Sequence, residues 1–570
     1  MNAKTIRMSV LIALLCATAG VSLGMQLFGL QECRIPNVVR AQQLPAQPQS
    51  HVTLTPSSSG DDTAQIEQAF ETVKAAGPNG IVELREGTFT ISRPVVVEDF
   101  DGTFKGAGRG LTVVENKIIP GGFPAAPEPL PAFPSLFAFV STTRVARGGS
   151  ADNPANLAFS DMTIKEHGVG EGYAYHEGNP MANDFMAFVL VTGRNVAGTN
   201  DGLPGFVNVD WRRMGLVGEL SESLPPMNKN GTYGIDIWGW GKKERARGAD
   251  GIGWIVTPDI MDSTPLTGTF TVADSTFDKL ECPFTVVSAD NSDITFKDSV
   301  ASDVFWNGAH FWAVKSTLRP SNIDVSNVKI VNPASTIAYM SAGDAIAFWK
   351  IDGANVNVTG LDTTNVSGIF VQQWTKAFFT AANPTNFVFT NNTIRMMPDS
   401  WYGGFELYDA VYANFGIKTA NFVISGNDIT DNNSYASPYD ALYTYGLTDT
   451  IVSDNKFHGK GGAAVWIEPD GTKGGECTMV NNDYQDFASG FGFFAYLGEG
   501  AKKCTVFTGS ATDVVDNGIA NKVLVDGKVA LGIRKHVLGL DKDAAKEEKL
   551  KQKQIKGMGK FGFDPSELSQ

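Results

Sequence analysis

Four short segments of this chain repeat one pattern: Phe389-Thr-Asn-Asn-Thr-Ile394, Ile424-Ser-Gly-Asn-Asp-Ile429, Val452-Ser-Asp-Asn-Lys-Phe457 and Met479-Val-Asn-Asn-Asp-Tyr484. Their asparagines, Asn392, Asn427, Asn455 and Asn482, are 35, 28 and 27 residues apart. Looser copies precede them at Phe159–Ile164, Phe296–Val300 and Val325–Ile330. A near-constant spacing of this size marks a solenoid rather than a string of unrelated domains. Short alternating strands joined by polar turns, with no helices between, stack as successive coils of a parallel β-helix. The recurring asparagines then fall on one corner, where Asn tolerates left-handed backbone and its amide can bond the next coil. That role is structural, not catalytic.

Composition agrees. The 570 residues include 61 Gly and 36 Phe, with 42% apolar and 19% charged residues, the profile of a folded, turn-rich β protein. Length alone would suggest several domains at ~150 residues each, but a solenoid lengthens without adding cores. The net charge of −15 argues against nucleic acid as the main partner. It leaves neutral or cationic ligands, or polyanions held by local basic groups or a bridging cation.

Residues 1–41 have the layout of an export signal: Lys4 and Arg7, then an apolar run from Met8, then small residues near Ala19 and Ala41. A retained anchor is the alternative, since Met8–Leu30 is long enough to span a bilayer. No comparable stretch follows, so the mature body is expected to lack a membrane span and to be periplasmic, extracellular or on the cell surface. Residues 42–60 read as a Pro/Ser/Gln-rich tether, 61–530 as the solenoid, and 531–570 as a charged helical tail with a loose end. Cys282, Cys477 and Cys504 show no metal-ligand spacing and read as small buried hydrophobes. Cys477 and Cys504 lie about one coil apart, which leaves a bridge open.

Asp62-Thr-Ala-Gln65 has the form of a capping box and opens a short helix on Ile66, Ala69, Phe70 and Val73. With Gly80-Ile-Val-Glu-Leu84, Glu86-Gly-Thr-Phe89 and Lys105-Gly-Ala-Gly-Arg-Gly110, this opening resembles the pectate-lyase-like superfamily over residues 60–116. The resemblance implies an all-β, right-handed parallel β-helix with a capping helix at its N-terminal end. It also implies secretion, and either polysaccharide lyases, hydrolases and epimerases or non-catalytic surface proteins. The polygalacturonase signatures and the Asp-Pro-His-Glu of alginate epimerases are absent. Val465-Trp-Ile-Glu-Pro-Asp470 is similar to a pectate lyase Trp-Ile-Asp-His segment, with Glu468 and Pro469 in place of its Asp and His. No role is carried over.

The lumen of such a fold is filled by apolar side chains, so chemistry belongs on outward positions and loops. Phasing by alternation from Phe311 turns out His310, Trp312, Trp349, Gln372, Trp374, Glu406, Tyr408, Trp466, Glu468, Phe494 and Tyr496. It turns in Ile346, Phe348, Val371, Phe405, Leu407, Val465, Ile467, Phe493 and Ala495. The Asp440–Tyr445 strand fits either phase. Superposed, the outward set forms a stripe of rings and carboxylates suited to sugars, whose apolar faces stack on aromatics and whose hydroxyls bond carboxylates and amides. His310, Trp312, Trp349, Trp374, Trp466 and Tyr496 are the candidate polysaccharide contacts. Glu406, Tyr408, Asp409, Glu468 and Asp470 are the catalytic candidates, with Asp344 as an outlier. Paired carboxyls suit a glycoside hydrolase. A lyase would draw its base from Tyr408, Lys350, Arg395 or His310. No motif demands a cofactor; Ca²⁺ is compatible but not indicated. Two further features are noted: Glu166–Phe206, with His167, Glu171, His176 and Glu177, and Trp238-Gly-Trp240 followed by Lys242, Lys243, Arg245 and Arg247. The first reads as an exposed polar loop ahead of a metal site, the second equally as a group that meets an acidic sugar or as a solvated basic turn, and Ile119–Ser135, with six prolines, reads as a rigid surface loop. The expectation is an exported β-helix that acts on or binds polysaccharide, with a non-catalytic envelope or adhesion protein as the alternative and the oligomeric state open.

Overall fold

The computed structural model describes residues 50–117, 135–141, 154–166, 187–193, 205–218, 232–238, 265–304, 307–333, 344–396, 403–431, 441–459, 463–469, 474–484 and 493–530. The described residues fall within one compact unit. The export segment, the Ile119–Ser135 loop apart from Ser135 itself, most of the Glu166–Phe206 insertion, the basic cluster after Trp238, Asp470 and the charged tail lie outside the described residues.

The body is a parallel β-helix. Each turn of chain contributes to three ladders of in-register parallel strands, seen in one coil at Asn355–Thr359, Asp362–Thr364 and Ser367–Gln373. Each pairs with its counterpart in the next coil: Val358 with Phe389, Thr363 with Ile394, and Val371 with Leu407. Stacking by hydrogen bonds leaves every lumen-facing side chain above its equivalent, which is why the apolar positions recur. Phe311, Phe348, Phe389, Phe405 and Leu407 are fully buried in one continuous core. Phe311 and Phe348 stack at 5.3 Å, and Phe389 and Phe405 at 5.6 Å.

The asparagine ladder is present. Asn427 donates through Nδ2 to Asn455 Oδ1 (2.9 Å) and to the Phe389 carbonyl (3.0 Å). Its own Oδ1 accepts from Asn392 N (3.0 Å) and Asn392 Nδ2 (2.9 Å). Asn455 repeats the pattern with Asn482. The left-handed backbone falls one residue earlier, at Asn391, Gly426, Asp454 and Asn481. The ladder asparagine itself turns inward as a corner tie.

The helix Thr63–Ala76 buries Ile66, Ala69, Phe70 and Val73 at the N-terminal end of the core. Its cap differs from the expected box. Asp62 turns away to accept from Thr90 N (2.7 Å) and Ser57 N (2.6 Å), while Asp61 Oδ1 accepts from Thr63 N (3.0 Å). Part of the expected tether is also ordered: His51–Leu54 is the first strand and pairs with Ile81–Leu84, because Val52 and Leu54 alternate onto the core. At the C-terminal end, Lys522–Val525 stacks on Thr505–Thr508. It is then closed by the antiparallel strand Lys528–Ala530.

Candidate functional site

Outward rows on one ladder carry the candidate residues. In one row the register runs Thr285, His310, Ala347, Phe370, Glu406, Tyr443, Trp466, Tyr496. The adjacent row runs Val287, Trp312, Trp349, Gln372, Tyr408, Tyr445, Glu468. The rings form an unbroken contact chain. His310 meets Trp349 at 4.4 Å, and Trp349 meets Phe370 and Trp374 at 6.4 and 5.8 Å. Phe370 meets Tyr408 at 5.7 Å, Tyr408 meets Tyr443 at 5.6 Å, Tyr443 meets Trp466 at 6.4 Å, and Trp466 meets Tyr496 at 4.1 Å.

The chain of rings has two unlike halves. Trp312, Trp349, Phe370 and Trp374 are buried in a second apolar cluster outside the lumen, together with Phe378. The cluster is covered by the stretch Trp374–Phe379, whose 3-10 turn Lys376–Phe378 folds back over it. Asp352 pins that stretch by accepting from Thr380 N (2.9 Å) and Ala381 N (3.1 Å). Lys350 and Lys315 lie over the Trp374 and Phe378 rings, each at 4.7 Å. Burying these rings removes apolar area from water, so here the tryptophans act as a packed layer, not an open surface. From Tyr408 onward, Tyr443, Tyr445, Trp466, Glu468 and Tyr496 are half-buried and reach solvent.

A buried polar group lies where the halves meet. In four successive coils a small residue, Gly308, Ala345, Gly368 or Gly404, turns inward just before the regular inward position. A Cβ on Gly404 would lie 2.6 Å from Ile429, and one on Gly368 1.5 Å from the Gly404 carbonyl. This extra inward step leaves Asn307, Asp344 and Ser367, which are register partners, on the outer side. Asp344 therefore lies on the same outer side of the ladder as Glu406, although strict alternation would send it inward. Both side-chain ends of Asn307 are buried with no hydrogen-bond partner among the described residues, as is Gln372 Oε1.

Burial dominates the electrostatics. It pushes the Glu406 carboxyl up to about 7, against hydrogen bonds from Gly403 N (2.8 Å) and Tyr408 Oη (3.1 Å) that favour the charged form. Burial, then the Glu406 charge, pushes Asp344 well above the usual carboxylate range. Burial drives His310 down to about 3, so its imidazole is neutral at ordinary pH. Such perturbed groups mark a functional-site candidate.

The other candidates lie as follows. Asp409 is the cap of the helix Ala410–Phe415, accepting from Tyr412 N (2.9 Å), Thr419 N (3.0 Å) and Thr419 Oγ1 (2.8 Å). Burial raises it to about 6 despite those bonds, which make it the cap of that helix. Glu468 accepts from Trp466 Nε1 (2.6 Å) on the half-buried stripe. Arg395 pairs with Asp362 (2.7 Å) on a different ladder. Phe494 faces the core and stacks on Tyr484 at 4.2 Å, while Phe493 is half-buried; the alternation slips there by one residue. Tyr443 and Tyr445 settle the open phase as outward, with Leu442 in the core. Cys477 and Cys504 are buried free thiols in neighbouring coils. Among the described residues no cluster of His, Cys, Asp or Glu could hold a metal ion, and no helix is long and apolar enough to cross a membrane.

No protein family and no curated protein matches the chain. Among solved structures it is similar to the A-module of the Azotobacter vinelandii mannuronan C-5 epimerase AlgE6, at 12% identity over 82% of this chain and 95% of that one, with a TM-score of 0.43. It is also similar to the catalytic domain of a GH87 alpha-1,3-glucanase, at 13% identity over 86% and 67% of the two chains, TM-score 0.37. A third is PfbA, a surface adhesin of Streptococcus pneumoniae, at 12% identity over 76% and 91%, TM-score 0.34.

Proposed function

We propose that this chain is an exported polysaccharide-cleaving enzyme of the glycoside hydrolase type, with Asp344 and Glu406 as its acid–base pair. The observation that carries this reading is a pair of buried carboxyls, Asp344 and Glu406, on one ladder, the second bonded to Tyr408 at the edge of a half-exposed aromatic stripe. Their strands are two coils apart, roughly 10 Å, and Asp344 sits three register positions, about 10 Å, before Ala347, the residue in line with Glu406; the Glu406 side chain turns back along the strand toward Gly403 N and shortens that offset. In this reading Asp344 holds the proton and delivers it to the leaving oxygen. Glu406 ionises near neutrality and takes the proton of the attacking water, or attacks the sugar carbon itself. Tyr408 orients Glu406, and Tyr443, Tyr445, Trp466 and Tyr496 stack the sugar rings. The export half of the reading rests on the basic and apolar residues of the N-terminal sequence.

One observation favours a non-catalytic glycan-binding protein as the second reading: the Trp466–Tyr496 pair can hold a sugar face without any carboxyl chemistry. One panel separates the two. Purified protein is incubated with neutral glycans, followed by release of reducing ends, and with uronates, followed by absorbance of unsaturated products. Cleavage that Glu406→Gln and Asp344→Asn both abolish supports the enzyme. Calorimetric binding without any product supports the second reading, and neither binding nor product ends both. Unsaturated products from uronates would replace the hydrolase with a lyase.

A further inference from the structure

The last coils set two thiols over one another. Cys477 opens the strand Cys477–Val480, and Cys504 immediately precedes the strand Thr505–Thr508. Thr478 and Met479 are in register with Thr505 and Val506, so the two cysteines, one position earlier, stand at the same level of neighbouring coils. The backbones are held together on the other side as well, where Lys502 N donates to the Gly475 carbonyl at 3.3 Å. In-register neighbours on parallel strands lie ~4.8 Å apart, within the roughly 4.4–6.8 Å between Cα atoms that a disulfide spans. Both side chains point into the lumen core. They already meet there: the Cys477 thiol is hydrogen-bonded to Cys504, and Cys504 Sγ donates to the Gly475 carbonyl at 2.9 Å. The third described cysteine, Cys282, is seven strand steps away along the axis, roughly 34 Å, and can reach neither.

We propose that Cys477 and Cys504 are a disulfide site, closed by exchange with a disulfide of the glutathione class. One cysteine thiolate attacks the external disulfide and releases its first thiol. The other attacks the mixed disulfide so formed and releases the second. The two protein thiols lose two electrons and two protons, and the external disulfide takes them up as two thiols. Burial withholds both sulfurs from an oxidant in the finished fold, so exchange takes place while the last coils are still open. The packed core then shields the bond as it shields the thiols. The bridge closes one coil, 27 residues from Cys477 to Cys504, and that coil carries Tyr496, whose ring meets Trp466 at 4.1 Å. A terminal coil is packed on fewer neighbours than an internal one, and a cross-link that limits its unfolded freedom holds it in place.

The test refolds the full chain from reducing urea, once into oxidised and reduced glutathione and once into reductant alone. Free thiols are then alkylated in denaturant and peptides are mapped without reduction. In glutathione the Cys477 and Cys504 peptides should appear joined, lighter by two hydrogen atoms, with Cys282 alkylated. The same glutathione mixture added to protein already folded in reductant should form the bridge at least ~10-fold more slowly. The bridged protein should unfold at a higher urea concentration than the reduced one. In Cys504→Ala that difference between the two refolding conditions should vanish, a comparison made within one variant and so independent of any packing change. Alkylated Cys477 and Cys504 after refolding in glutathione, or either one bonded to another cysteine or to glutathione alone, would overturn the site. Equal urea midpoints for the bridged and reduced forms would overturn its role in holding the last coils.

Discussion

Tyr408 donates its phenolic hydrogen to Glu406 at 3.1 Å, and the same ring touches Phe370 on one side and Tyr443 on the other. One side chain thus joins the buried carboxyl to both the packed and the exposed half of the aromatic row.

A titratable group placed this way should register in stability as well as in turnover. Glu406 has its native value raised from 4.5 to about 7. The native state therefore holds this proton more tightly than the unfolded chain. Its contribution is full below pH ~4.5 and is lost as pH rises through about 7, a change of about 3 kcal/mol. Glu406→Gln removes that dependence. Urea unfolding should show the variant gaining stability relative to the parent between pH 4.5 and pH 8, while activity falls by at least ~100-fold.

Two tryptophans of the same ladder should fail differently. Trp349→Ala empties a packed site and is expected to cost about 3–5 kcal/mol, read as a lower denaturation midpoint. Trp466→Ala, on the half-buried part, should leave the midpoint nearly unchanged and weaken glycan binding by ~10-fold in calorimetry.

The corner ladder makes a third case. Asn427→Ala would leave the buried Asn392 N–H and the Phe389 carbonyl without the bonds at 3.0 Å that now satisfy them. A loss of about 2–4 kcal/mol is expected in denaturant unfolding. Asn427→Asp should not rescue it, since a carboxylate cannot donate to Phe389 or to Asn455.

The thiols provide a probe of packing. Cys477 is pushed well above its ordinary value, first by burial and then by Cys504. Iodoacetamide at pH 8 should leave Cys282, Cys477 and Cys504 unmodified in the native protein and label all three after denaturation under reducing conditions, as read by peptide mass.

Much of the fold was legible in the sequence because a solenoid repeats its instructions: the Asn spacing gave the coil, and alternation from Phe311 placed Ile346, Phe348, Val371, Phe405, Leu407, Val465 and Ile467 in the lumen. Two kinds of information were not local. Asp344 and Asn307 were hidden because Gly308, Ala345, Gly368 and Gly404 insert an extra inward step. That run of small residues, one per coil, was the signal available. The burial of Trp312 and Trp349 depended on Trp374–Phe379 returning over them, and strand periodicity says nothing of where a connecting segment lies. Asp409 reads as a catalytic candidate from the strand pattern alone, because that pattern does not show the six-residue helix Ala410–Phe415 that it caps.

The antiparallel strand Lys528–Ala530 closes the final coil. A parallel stack has no internal reason to stop: its last rung is a ready template for the first rung of another molecule. Reversing direction presents a mismatched, lysine-bearing edge, so the hairpin fixes the length of the stack as well as its end.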